Sequence, residues 1–133
     1  MYKILMSTLF FSQLVYSQSI TTSNLKCIFT EPFLSVDYSP QNGSLKVSIL
    51  SGYEKIPHAL HQNTMLSVGT PGEFLVKSFD GETLLSLTHD GRGSDGMSEI
   101  VYPVSAVIKG QAFSPLFQYG SALDVRGGCR FVK

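Results

Sequence analysis

Residues 33–50 read FLSVDYSPQNGSLKVSIL and carry the clearest structural signal in this chain of 133 residues. Apolar side chains recur at every second position on both sides of the central SPQNG, at Leu34, Val36, Tyr38, Leu45, Val47 and Ile49. Alternation with a period of two is typical of a strand with one buried face. Gly43 supplies the positive φ that a tight connection between antiparallel strands needs. The stretch therefore predicts a β-hairpin.

Short strand-like runs separated by turn residues continue through the rest of the chain. We predict further strands at residues 65–68, 73–79, 82–88 and 99–108 and near the C-terminus. The Asp80-Gly81 pair predicts a type I′ hairpin turn, and Pro103 places its strand at an edge or at a bulge. Residues 51–63 are the least regular section, predicted as a loop with one short helical turn. Seven to eight short strands of this kind predict an all-β fold, a small antiparallel β-barrel or sandwich.

Residues 1–17 have the layout of a secretory signal peptide, because Lys3 precedes an apolar run and Ser17 is a small residue at a suitable cleavage position. The run is shorter than the roughly 20 residues that a membrane-spanning helix needs. A buried N-terminal helix is the alternative. We predict a signal peptide at 1–17, a flexible lead-in at 18–26 and a single β domain at 27–133, located in the periplasm or secreted.

The charge of the mature chain excludes some classes of partner. Removing the signal peptide leaves nine basic and ten acidic residues, a net charge of −1. A near-neutral domain with scattered charges lacks the electrostatic features that bind nucleic acid or an anionic membrane. We therefore predict no nucleic-acid partner. We also predict no membrane insertion after processing, and a monomer.

The chain has two cysteines, Cys27 and Cys129. In an exported domain an even number of cysteines usually forms disulfides, and two free buried thiols are the alternative. A Cys27–Cys129 bond closes a loop of about 100 residues and stabilises by about 4–5 kcal/mol in the chain-entropy model. It also brings the two ends of the domain together, which suits a closed or nearly closed sheet.

A small hydrolase is one interpretation of the polar residues near position 90. Ser94 or Ser98 would be the nucleophile, with His89 as its base. No Gly-x-Ser-x-Gly sequence surrounds either serine. Glycine-rich loops collect serine and aspartate for turn formation, so we favour a turn over a catalytic site.

Two groups of residues are candidate metal ligands. His58 and His61 are three residues apart, and no third ligand lies nearby in sequence. Asp90, Asp95 and Glu99 surround glycines, but their order does not fit a calcium-binding EF-hand loop. We predict no metal site and no cofactor.

Three short stretches together resemble a known family. Residues 94–99 read SDGMSE and residues 102–103 read YP, which resembles the SDGMSD…YP signature of a family of small bacterial envelope proteins. Residues 30–33, TEPF, are similar to the TEPFW that begins that family's domain, and residues 128–129, GC, are similar to its closing Gly-Cys. The chain departs from the family at Leu34, where Trp is usual, at Glu99, where Asp is usual, and at Gly93, where many members have Cys.

The resemblance implies an envelope role without implying a reaction. Members often occur beside, or fused to, lysozyme-inhibitor-like and META-type β domains. We therefore expect a non-catalytic binding module, an inhibitor or sensor of a cell-wall hydrolase such as lysozyme. The rival functions are the small hydrolase and a purely structural envelope component. The candidate binding rim consists of Glu31, Arg92, Ser94, Asp95, Met97, Ser98, Glu99 and Tyr102.

Local chemistry predicts a role for several of these residues. Asp95 is expected to accept backbone amides across its own turn, Gly96 to adopt positive φ, and Met97 to plug one end of the barrel. Glu31 and Glu99 are expected to meet at one rim. Arg92 or Arg126 would lie between them. The alternative is that the segment only forms a difficult turn.

Overall fold

The computed structural model describes residues 19–30, 33–51, 53–109 and 124–132. The predicted signal peptide lies outside these residues, and so does the candidate rim residue Glu31. Residues 110–123, between the last two strands, are also outside the described part of the chain.

Nine antiparallel strands form one sheet in the described residues, in the order β4-β3-β2-β1-β9-β8-β7-β6-β5. The strands are β1 (Asn24–Phe29), β2 (Leu34–Ser39), β3 (Ser44–Ser51), β4 (Glu54–His61), β5 (Met65–Val68), β6 (Glu73–Lys77), β7 (Thr83–Thr88), β8 (Val104–Ile108) and β9 (Val125–Val132). The predicted all-β class is confirmed, with nine strands instead of seven or eight. No helix occurs among these segments.

The sheet curls into a half-barrel because its two edge strands are neighbours in sequence. β4 and β5 lie at opposite ends of the sheet, yet only residues 62–64 join them. Even a fully extended chain spans at most about 14 Å between His61 and Met65. Thr64 ties this connection to the β2–β3 turn, since its amide and its hydroxyl donate to the Gly43 carbonyl at 2.9 and 2.8 Å. The two edges therefore approach each other at this corner.

The predicted hairpin is β2 and β3, whose register pairs Leu34 with Ile49 and Val36 with Val47. Gly43 has φ 66°, as its place in the turn predicts. The apolar faces of both strands enter a core in which Val36 and Val47 have no exposed surface. We call this side of the sheet the inner face and the opposite side the outer face.

The disulfide joins the first and last strands. Cys27 and Cys129 are directly opposite each other in the β1–β9 ladder, 102 residues apart in sequence, and neither has exposed surface. The predicted bond and the meeting of the domain ends are both confirmed. The bond lies on the inner face, inside the core.

Residues 51–63 do not form the predicted loop and helical turn. Residues 54–61 are the edge strand β4, where Pro57 pairs with Ser48 and Ala59 pairs with Val47. His58 is therefore an extra residue in a bulge. An edge strand tolerates Pro because its outer side needs no amide donor, and pairing with β3 overrides the irregular local sequence.

Two further boundaries and one turn type differ from the predictions. The strand predicted at 99–108 begins only at Val104. The turn after β6 is not type I′, because that turn needs positive φ at both central residues, and Gly81 has φ 93° while Asp80 is not among the positive-φ residues. The polar segment 18–26 contains the start of β1 at Asn24 and the buried Ile20, so packed structure begins earlier than the predicted lead-in allows.

Candidate functional site

Residues 94–101 form a loop that is closed at its base by a two-residue ladder. Gly93 and Tyr102 form an antiparallel bridge, with N–O distances of 3.0 and 2.9 Å between their amides and carbonyls. A further bond from the Gly91 amide to the Pro103 carbonyl, at 2.9 Å, extends this base. Residues 94–101 project from it, and we call them the Asp95 loop.

The Asp95 carboxylate organises the loop. Its Oδ1 accepts the amides of Met97 at 2.9 Å and Ser98 at 2.7 Å. Its Oδ2 accepts the Ser98 hydroxyl at 2.7 Å and the Tyr102 hydroxyl at 2.9 Å. The residue is only 4% exposed. The predicted role of Asp95 as an acceptor of amides from its own turn is confirmed, and the side-chain bonds fix the loop to its base.

These bonds determine the protonation of both partners. The Ser98 amide, then the Ser98 hydroxyl and the Met97 amide, hold the pKa of Asp95 well below its ordinary value, against the opposing effect of burial. Burial, followed by the hydrogen bond and negative charge of Asp95, raises the pKa of Tyr102, and Arg130 offsets part of this rise. Asp95 is therefore a carboxylate that only accepts, and Tyr102 is a phenol that donates to it.

Gly96 places the tip of the loop against the end of β1. Its φ is 80°, which confirms the predicted positive φ. A Cβ at this position would lie 2.5 Å from the Thr30 hydroxyl, so any larger residue would collide with that side chain. Residues 30 and 96 are far apart in sequence, and the fold brings them into contact.

The Tyr102 ring packs over a residue without a side chain. A Cβ on Gly128 would lie 2.6 Å from the Tyr102 ring and 2.9 Å from the Ser94 amide nitrogen. Gly128 lies on the outer face of β9, because the adjacent Cys129 points inward. The backbone of β9 is therefore the platform that carries the base of the Asp95 loop.

We expect Gly128→Ala to destabilise the domain by about 1–3 kcal/mol, because the added methyl group must displace Tyr102 from its platform. Urea denaturation measures this change. Gly69→Ala is the matched control, since its Cβ would meet the carboxylate end of Glu73 and the end of the Leu75 side chain but no backbone atom, and we expect a change within about 0.5 kcal/mol. Equal stabilities of the two variants would contradict the proposed packing.

The loop exposes three large apolar side chains beside its polar ones. Met97 is 65% exposed, Ile100 is 60% exposed and Val101 is 70% exposed. The expectation that Met97 plugs one end of the barrel is therefore wrong, because the bonds to Asp95 turn residue 97 towards solvent. Ile100 and Val101 were not in the predicted rim, since their alternation was assigned to a strand. The sequence signal for them is the apolar pair directly after the turn residues, and the structure shows that this pair is exposed.

The charged residues of the predicted rim are less organised. Arg92 and Glu99 are both exposed, and within the described segments neither belongs to an ion pair. Arg126 lies in a polar groove of about 400 Å³ that Asp90 and Glu73 also line. No residue of the Asp95 loop lines that groove.

The structure does not assemble the candidate catalytic residues. The His89 ring makes an edge contact with Phe131, at a centroid distance of 5.1 Å. The Ser98 hydroxyl donates to Asp95, and the Ser94 hydroxyl accepts the Gly96 amide at 3.1 Å. Within the described ranges, neither serine has a hydrogen bond to a histidine.

The candidate metal ligands do not form a cluster either. His58 and His61 lie on the edge strand β4 instead of a helical turn. Nowhere in the described part of the chain do three or more His, Cys, Asp or Glu side chains converge on one point. The same residues contain no helix of the length and apolar character that crossing a bilayer requires.

Comparisons of the chain with protein-family models, with curated proteins and with solved structures find no match.

Proposed function

We propose that this chain is an exported, non-catalytic binding module that uses the Asp95 loop to engage a protein partner, with a cell-wall hydrolase such as lysozyme as the first candidate. The observation that carries the proposal is a buried, fully bonded carboxylate beneath three exposed apolar side chains. Asp95 fixes the backbone, and Met97, Ile100 and Val101 face solvent.

A rigid apolar protrusion suits insertion into a cleft. Ordering a flexible loop on binding costs free energy, and a loop already held in shape avoids most of that cost. Contiguous exposed apolar side chains mark interaction surfaces more often than isolated ones do. A cell-wall hydrolase offers a matching concave surface, since enzyme active sites are clefts with apolar linings and a few polar groups.

Two further observations support this function. The buried Cys27–Cys129 bond is of the kind found in chains that mature in an oxidising compartment, which supports export to the periplasm or beyond. The hydroxyls of Ser94 and Ser98 are engaged by the loop itself, which favours binding over hydrolysis. The resemblance to an envelope family points the same way.

We expect the purified protein to inhibit at least one wall hydrolase in a panel of lysozymes, lytic transglycosylases and amidases assayed by cell-wall turbidity. The variant Met97→Ser/Val101→Ser is expected to weaken that inhibition by at least about tenfold, because buried apolar contacts at the centre of an interface dominate binding energy. Its melting temperature should stay close to that of the wild type, since both side chains are exposed.

The matched control is Val68→Ser, which removes a side chain that is 69% exposed on β5, away from the loop. It should inhibit as strongly as the wild type. The proposal fails if no hydrolase in the panel is inhibited or bound, or if Val68→Ser weakens inhibition as much as the loop variant does.

A further inference from the structure

A row of charged side chains crosses the outer face of the sheet on the neighbouring strands β9, β1, β2 and β3. The registers pair Lys26 of β1 with Arg130 of β9 on one side and with Asp37 of β2 on the other. Asp37 in turn pairs with Lys46 of β3. The neighbouring Leu25, Cys27 and Cys129 are buried on the inner face, so these charged residues all point outward. We call Lys26, Lys46 and Arg130 the basic row.

The row contains more positive charge than the fold neutralises. Asp37 lies between Lys26 and Lys46 in this row of strands, and its carboxylate is bonded to Lys55 at 2.8 Å. Within the part of the chain that the structure describes, Lys26, Lys46 and Arg130 have no ion pair. Like charges directly opposite each other on neighbouring strands destabilise a sheet. Lys26 beside Arg130 is therefore an arrangement that the fold does not explain.

Two adjoining grooves follow the row. One, of about 420 Å³, is lined by Lys26, Asp37, Arg130, Phe131 and Val132. The other, of about 300 Å³, contains Lys46 and shares Asp37 and Val132 with the first. Neighbouring strands are about 4.8 Å apart, so the long side chains of Lys26 and Arg130 can converge on one anion. Lys46 lies two strands from Lys26, within reach of a second negative group.

We propose that the basic row is a binding site for a phosphate-bearing ligand, with Lys26 and Arg130 holding one phosphate and Lys46 meeting a second. The guanidinium group of Arg130 matches the geometry of a phosphate, and charge-assisted bonds to phosphate are among the strongest that side chains make. The net charge of −1 conceals this site because most acidic residues lie on other strands and loops. The row adjoins the base of the Asp95 loop, because Arg130 is two residues from Gly128 on the same face of β9 and its charge acts on Tyr102. The proposal uses no residue of the loop itself and does not depend on the function of the loop.

The test is a calorimetric titration with inorganic pyrophosphate at about 20 mM and about 150 mM salt, since screening should weaken a charge-based site. We expect saturable binding that is weaker at the higher salt. Arg130→Gln should weaken it by about tenfold, and Lys26→Gln/Arg130→Gln should abolish it. Lys77→Gln, a change on β6 outside the row, should bind as the wild type does. Both row variants should keep or exceed the wild-type melting temperature, because like-charge repulsion is removed.

Co-sedimentation with phosphatidylglycerol vesicles distinguishes the sources of the phosphate. Vesicle binding that the double variant loses would identify a lipid headgroup, and pyrophosphate binding without vesicle binding would identify a free or polymer-borne phosphate. The proposal is overturned if the wild type shows no saturable binding to pyrophosphate, or if Lys77→Gln weakens binding as much as Arg130→Gln does.

Discussion

The variant Cys27→Ala/Cys129→Ala is expected to lose about 4–5 kcal/mol of unfolding free energy, because the bond closes a very long loop in the unfolded chain. The two cysteines are 102 residues apart, so nearly the whole described domain lies between them. Domains of this size have total stabilities of about 5–15 kcal/mol. Removing the bond therefore takes a large part of the total, and urea denaturation of the two proteins measures it.

The reduced wild-type protein is the control, because it loses the bond but keeps both sulfur atoms in the core. Both cysteines are fully buried, so reduction has to be carried out in denaturant before refolding. The reduced protein should be nearly as unstable as the alanine variant. A reduced, refolded protein as stable as the oxidised one would contradict the prediction.

The disulfide also supports the candidate site. Cys129 is next to Gly128, the platform for Tyr102, and Cys27 lies on the strand that ends beside Thr30. These two contacts therefore come from β9 and from the residue that follows β1, the two strands that the bond joins. Loss of the bond should loosen the loop as well as the fold.

Short-range patterns in the sequence predicted much of this fold. The alternation around Asn42-Gly43 identified the central hairpin, because strand face and turn chemistry depend on neighbouring residues. The two cysteines placed the first strand beside the last. The sequence did not predict β4, because a Pro and a bulged His58 are acceptable there only at a sheet edge, and edge position is a property of the whole sheet.

The candidate site likewise contains some features that the sequence predicted and others that it did not. The hydrogen bonds from backbone amides to Asp95 and the positive φ of Gly96 were predictable, since each depends on residues within the same turn. The contact of Gly96 with Thr30 and the position of Tyr102 over Gly128 were not, because both require the strand order β1-β9-β8. The basic row was missed for the same reason, since Lys26 and Arg130 become neighbours only through register.

Replacement of Asp95 by Ala is expected to lower the melting temperature by about 5–15 °C at neutral pH. The change leaves the amides of Met97 and Ser98 and the hydroxyl of Tyr102 without their acceptor, and unpaired buried polar groups are costly. Asp95→Asn should have a smaller effect, since its carbonyl oxygen still accepts while the charge is lost. Thermal unfolding followed by circular dichroism measures both. Unchanged stability in both variants would show that the carboxylate does not hold the loop.

The pH dependence gives a sharper test of the same carboxylate. The pKa of Asp95 in the folded protein is lowered from the ordinary value of 3.8. A group with a lowered folded-state pKa stabilises the fold fully above its unfolded-state pKa, and this contribution is lost as the pH falls towards the folded-state value. The difference in melting temperature between the wild type and Asp95→Asn should therefore be constant between about pH 5 and pH 7 and should shrink as the pH is lowered to about 2.5. The other carboxylates titrate in both proteins, so the difference isolates residue 95. A difference that is independent of pH down to that value would mean that the charge on Asp95 contributes nothing to the stability of the loop.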